Sequence, residues 1–173
     1  MGFDLIVVTV VDKRLESYLQ GHFDSLAGVL YNPGKTQIKV KSIGGDYGDF
    51  LAGIYIMDLA LKGEFGKVKD TDKVLIIHTA GAGKRDYPVT AACKGNKGLI
   101  WVPREFKGVP LFYIDQVILQ YYQVLNDTPG GTFTVGACDQ SWVIGANVKG
   151  NNHKFYVYGS PKVFIKELIR ADC

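Results

Sequence analysis

Leu5-Ile-Val-Val-Thr-Val-Val11 runs straight into Asp12, and Leu15, Tyr18, Leu19, Leu26 and Val29 follow at helical spacing. A continuous run rich in β-branched residues has no polar face. It predicts a strand covered on both sides, as strands of a parallel sheet are. Asp12 suits an N-cap, where a carboxylate accepts from the unpaired N–H groups of a first helical turn. Strand, short connection and helix make the first half of a βα unit.

The pattern repeats along the chain. Asn32-Pro33-Gly34 is a turn. Ile38, Val40 and Ile43 alternate with Lys39, Lys41 and Ser42, which suggests a strand with one wet face. Gly44-Gly45-Asp46-Tyr47-Gly48-Asp49 is glycine-rich, a turn by default. Leu51, Ile54, Met57, Leu59 and Leu61 then support a helix closing near Lys62-Gly63. Glu64 to Asp72 reads as a charged connector and Val74 to Thr79 as a second buried strand. A short strand, Leu99 to Val102, is stopped by Pro103. Leu111, Ile114, Val117, Ile118, Tyr121, Tyr122 and Leu125 share one helical face. Asp127 to Gly131 is a turn, and Thr132 to Cys138 a strand that carries Asp139 to its C-terminal end. Phe155 to Tyr158 reads as a strand and Val163 to Ile169 as a last short helix.

Alternating strands and helices predict an α/β chain, a three-layer α/β/α domain with a mostly parallel sheet, spanning residues 1–173. Ligands of such folds sit beyond the C-terminal ends of the strands. With 173 residues, 47% hydrophobic and 21% charged, the composition is that of a globular domain with a core of its own. The net charge of +3 tolerates a polyanionic ligand, but no basic block or stripe points to nucleic acid. Cys93, Cys138 and Cys173 are odd in number and far apart, with no Cys-x-x-Cys pair, which argues against a zinc site or a disulfide framework. His22 and His153 are isolated in sequence. No basic region precedes the first apolar run, Ile6 stands where a myristoylation signal needs Ser or Thr, and no apolar run nears the ~18 residues of a membrane span. A cytoplasmic location without membrane contact is the expectation.

His78-Thr-Ala-Gly-Ala-Gly-Lys-Arg-Asp-Tyr-Pro88 follows the second buried strand directly. Gly81 and Gly83 let the backbone approach a phosphate closely, and successive N–H groups in such a turn form an anion nest. Lys84 and Arg85 add positive charge, and a guanidinium matches phosphate oxygens pairwise. The alternative is a solvated turn with two surface cations. A P-loop would need glycine at 78 and Ser or Thr at 85, where His78 and Arg85 stand. A dinucleotide fingerprint would need glycine at 86, where Asp86 stands, which leaves a dinucleotide-binding α/β protein as a weaker alternative.

A different pattern fits better. The segment from His78 through Ala80, Gly81, Ala82, Gly83, Lys84 and Arg85 to Pro88 and Thr90 resembles the signature loop of sugar nucleotidyltransferases. It is most similar to that of the L-fucose-1-phosphate guanylyltransferases (GDP-fucose pyrophosphorylases). Lys97-Gly-Leu-Ile-Trp-Val-Pro103 resembles that branch's lysine, apolar strand and proline, with Lys94 a less apt equivalent. Thr132 to Asp139 resembles its strand ending in an aspartate. Ala80 replaces the first glycine of the loop, Cys138 replaces the glycine before the aspartate, and the interval from Pro88 to Lys97 is longer than usual.

The resemblance covers about residues 4 to 140. It implies a nucleotide-diphospho-sugar transferase-like fold. It also implies transfer of a nucleotidyl group from GTP to fucose 1-phosphate with Mg²⁺. In those terms Ala80 to Lys84 and Gly48 bind nucleotide, Arg85 and Lys97 are catalytic, and Asp139 holds the metal. Without the resemblance, Asp139 reads as a helix N-cap. The branch's sugar-binding half and C-terminal β-helical domain are not accounted for by these residues. A further domain, a second copy of the chain, or a nucleotide-binding module without turnover are therefore the alternatives.

Overall fold

The computed structural model describes residues 2–28, 31–44, 48–79, 92–93, 96–124 and 129–138. Four parallel strands form the central sheet: β1 (Leu5–Val10), β2 (Gln37–Ser42), β3 (Val74–His78) and β6 (Phe133–Ala137). Their spatial order is β2-β1-β3-β6. Between β3 and β6 the chain makes a 3-10 turn (Lys97–Leu99), an antiparallel ribbon of β4 (Trp101–Phe106) and β5 (Val109–Phe112), and a helix. The helices are α1 (Lys13–Leu26), α2 (Gly48–Leu61) and α3 (Tyr113–Val124).

Every residue of β1 and β3 is buried, which is why each reads as an apolar run broken only by Thr9 and His78. Alternate residues face opposite layers. Ile6, Val8, Val10, Leu75 and Ile77 pack with Leu19 and Phe23 of α1 and Ile114, Val117 and Ile118 of α3. Leu5, Val7, Val74 and Ile76 pack with Ala52, Ile56 and Ala60 of α2. The architecture is therefore α/β with three layers, helices covering both faces of a parallel sheet.

Asp12 caps α1, accepting from the amides of Arg14 at 2.8 Å and Leu15 at 3.0 Å. At the start of α3, Asp115 accepts from the Phe112 amide at 2.7 Å, the carboxylate half of a capping box. The same oxygen lies 2.8 Å from His22 Nε2, so a buried pair joins α1 to α3. His22, isolated in sequence, is thus partnered across 93 positions. Below it, the Tyr31 hydroxyl donates to the Phe23 carbonyl at 2.7 Å. Burial, with a smaller contribution from Asp24, pushes this phenol up to about 12. The Tyr122 hydroxyl donates to Thr36 Oγ1 at 2.8 Å, and burial raises that phenol too, against the opposing effect of the hydrogen bond.

The outer edge of β2 is closed by α1. Gln20 accepts from the Val40 amide at 3.0 Å and donates to the Ile38 carbonyl at 3.1 Å, while Glu16 accepts from the Ser42 amide at 2.6 Å.

Three sequence expectations change. The buried face of α2 is Ala52, Ile56 and Ala60, whereas Leu51, Ile54 and Leu61 are exposed. Small residues let this helix lie close to the sheet. The strand expected at Leu99 to Val102 starts at Trp101 and passes through Pro103 to Phe106. Proline is tolerated in a two-stranded ribbon, where an edge amide needs no partner. Lys107 and Gly108, at φ 51° and 80°, turn the ribbon back, and Leu111 belongs to β5 rather than to the helix. The expected elements at Phe155 to Tyr158 and Val163 to Ile169 lie outside the described residues.

Candidate functional site

β1, β3 and β6 end side by side, with Thr9 in register with His78 and His78 with Ala137. In strand order this is the point where the chain turns from building outward through β2 to building the other way through β3. Ligands of open α/β sheets bind at such a point.

The floor of the site is a buried polar cluster. His78 is 3% exposed, and its Nδ1 lies 3.0 Å from Thr9 Oγ1. Thr79 Oγ1 donates to the Thr9 carbonyl at 2.5 Å. Each central strand replaces an aliphatic residue by a polar one at the same level, and Thr9 Oγ1 and His78 Nδ1 partner one another. His78 is thus a core histidine, hydrogen-bonded to Thr9 within the fold. Gly53 lets α2 cross directly over it. A Cβ there would stand 3.6 Å from His78 Nε2 and 3.2 Å from both Val135 methyls.

Two backbone bonds gather the rest. The Cys138 amide donates to the His78 carbonyl at 2.9 Å, and the Lys97 amide donates to the Thr79 carbonyl at 3.2 Å. The 3-10 turn opened by Lys97 is wedged against the sheet. A Cβ on Gly98 would come within 3.0 Å of Thr79 Cγ2 and 3.2 Å of Ile114 Cβ. The turn therefore lies on the α3 side of the sheet, opposite α2.

Lys97 is half-buried beside Thr79, the residue before Ala80. Gly48 is the first residue of α2, five positions before Gly53, about 7.5 Å along the helix. Ala80, Gly81, Ala82, Gly83, Lys84, Arg85 and Asp139 lie outside the described residues. Their chain neighbours Thr79 and Cys138 lie beside Lys97 and His78 respectively. Lys97, the start of the glycine-rich segment and the residue preceding Asp139 therefore meet at one end of the sheet. Gly48 stands on the opposite layer.

The first βα turn is differently occupied. Asp12 already holds the amides at the N-terminus of α1, where a dinucleotide-binding fold would place its pyrophosphate.

Thr9 is the site residue that sequence reading passed over. A single threonine inside Leu5 to Val11 was its only signal, and threonine is common in strands. Among the described residues, no group of three or more His, Cys, Asp or Glu side chains could hold a metal. A Mg²⁺ site formed by one carboxylate, phosphate oxygens and water needs no such group. Among the described residues, no helix is long and apolar enough to cross a membrane. No family model, curated protein or solved structure matches the chain.

Proposed function

We propose that the chain is a nucleotidyltransferase that joins a nucleoside triphosphate to a sugar 1-phosphate and releases pyrophosphate. GTP and fucose 1-phosphate are the first substrates to try. The observation that carries this reading is the pair of backbone bonds from Cys138 to His78 and from Lys97 to Thr79. They bring the backbones of Lys97, Thr79 and Cys138 to one end of the sheet, which supports this reading. The closed turn at Asp12 favours this reading over a dinucleotide site.

An oxygen of the sugar 1-phosphate attacks the α-phosphorus in line. The new P–O bond forms as the bond to the β-phosphate breaks, and pyrophosphate leaves with the electron pair. Protein side chains need form no covalent intermediate, so catalysis is positioning and charge stabilisation. Ala80 to Gly83 offer backbone N–H groups to the triphosphate. Arg85, assisted by Lys84, stabilises charge on the departing pyrophosphate. Lys97 bridges the α-phosphate and the incoming sugar phosphate. Gly48 lies toward the nucleoside. Asp139 would hold Mg²⁺, which when bound neutralises phosphate charge.

Purified protein with Mg²⁺, GTP and fucose 1-phosphate should release pyrophosphate, and Arg85→Ala should abolish the release. Equal rates for the two proteins would sink the assignment.

A further inference from the structure

Trp101 is 61% exposed although it opens a strand. Its cross-strand neighbour is Phe112, and the pairing register then slips between Trp101 and Glu105. Irregularities of this kind re-aim side chains and are frequent beside binding sites. The ribbon itself encloses little core, since all of β4 except Val102 is exposed. It is anchored at its base, where the Tyr113 amide donates to the Ile100 carbonyl at 2.8 Å.

That base is the Lys97 turn. The Ile100 amide donates to the Lys97 carbonyl at 3.4 Å, so Trp101 begins one residue beyond the turn that Lys97 opens. Three residues of 3-10 geometry rise about 6 Å. A flat, accessible aromatic residue thus follows, four positions along the chain, the lysine assigned to the sugar phosphate. The turn packs on Thr79 and Ile114, on the α3 side of the sheet, whereas Gly48 and α2 lie on the other side. A ligand that spans the end of the sheet, with its nucleoside toward Gly48, brings its sugar toward Trp101.

We infer that Trp101 is the platform for the sugar ring of the sugar 1-phosphate, stacking on the apolar C–H face of a deoxyhexose. The inference rests on the nucleotidyltransferase reading for the direction in which the ligand lies. Trp101→Ala raises KM for fucose 1-phosphate about tenfold, as loss of an aromatic contact does, with KM for GTP and kcat within about twofold. Trp101→Phe keeps a flat ring and stays within about threefold of wild type.

The test pairs these kinetics with tryptophan emission of the full chain, titrated with fucose 1-phosphate and, separately, with GTP. The expected result is a saturable change with fucose 1-phosphate that Trp101→Phe removes. A rise in KM for GTP instead would assign the ring to the base and overturn the inference. Unchanged constants in Trp101→Ala, with turnover intact, would overturn it while leaving the transferase reading in place. Saturable emission without pyrophosphate release would support the sugar contact and reject the transfer reaction. Absence of any emission change would overturn the contact.

Discussion

Thr9 and His78 face each other at the ends of the two central strands, Oγ1 and Nδ1 3.0 Å apart and both out of solvent. Thr9→Val keeps the shape of the side chain but strips the imidazole of that partner. A buried polar group left in this way costs about 1–3 kcal/mol. Urea denaturation should show a lower midpoint with an unchanged slope, the mark of lost stability without altered compactness.

The backbone amide of Lys97 ties its turn to Thr79, and its ammonium carries the proposed chemistry. Lys97→Ala keeps the amide that bonds to Thr79. The turn should therefore keep its tie to the sheet, and the variant should still melt in one cooperative transition. Pyrophosphate release should fall about 10²- to 10³-fold, as when one group that stabilises transition-state charge is removed. A thermal melt and a coupled pyrophosphate assay on the same sample check both halves.

Gly136 sits where β6 meets α3, and a Cβ there would overlap the Tyr121 hydroxyl. Gly136→Ala should cost about 2 kcal/mol through overpacking. Adding Tyr121→Leu should recover part of the loss, although that change alone is destabilising. A double-mutant cycle in denaturant would reveal the coupling.

Tyr31 sets an alkaline limit. Its phenol titrates near 12 in the folded chain against 10.0 when free, mainly because of burial. The stability linked to it is complete below pH 10 and is lost as the pH climbs through 12, because the unfolded chain gives up this proton first. Tyr31→Phe should flatten the fall in melting temperature over that window. Below pH 9 the variant should show only the pH-independent cost of its missing bond to Phe23.

The central strands were legible because burial on both faces leaves one signature, a near-continuous apolar run, as in Leu5 to Val10 and Val74 to Ile77. The inward face of α2 was not. That helix is apolar nearly all round, so periodicity could not favour Ala52, Ile56 and Ala60 over Leu51 and Ile54. The β4–β5 ribbon was hidden by Pro103 and by a Lys107-Gly108 turn weaker than Asn-Gly. Candidate residues could be nominated from motif order. Contacts between residues far apart in the chain, such as Lys97 with Thr79 or His22 with Asp115, have no local sequence signature.

Gln20 and Glu16 occupy outward-facing backbone groups of β2 at Ile38, Val40 and Ser42. The central sheet therefore has one stopped end. Among the described residues, head-to-tail stacking of copies through the central sheet needs a receptive edge at both ends, and the end at β2 is taken. A copy that docks strand to strand on the central sheet is thus turned away at β2, and a stack built through that sheet does not propagate past this end.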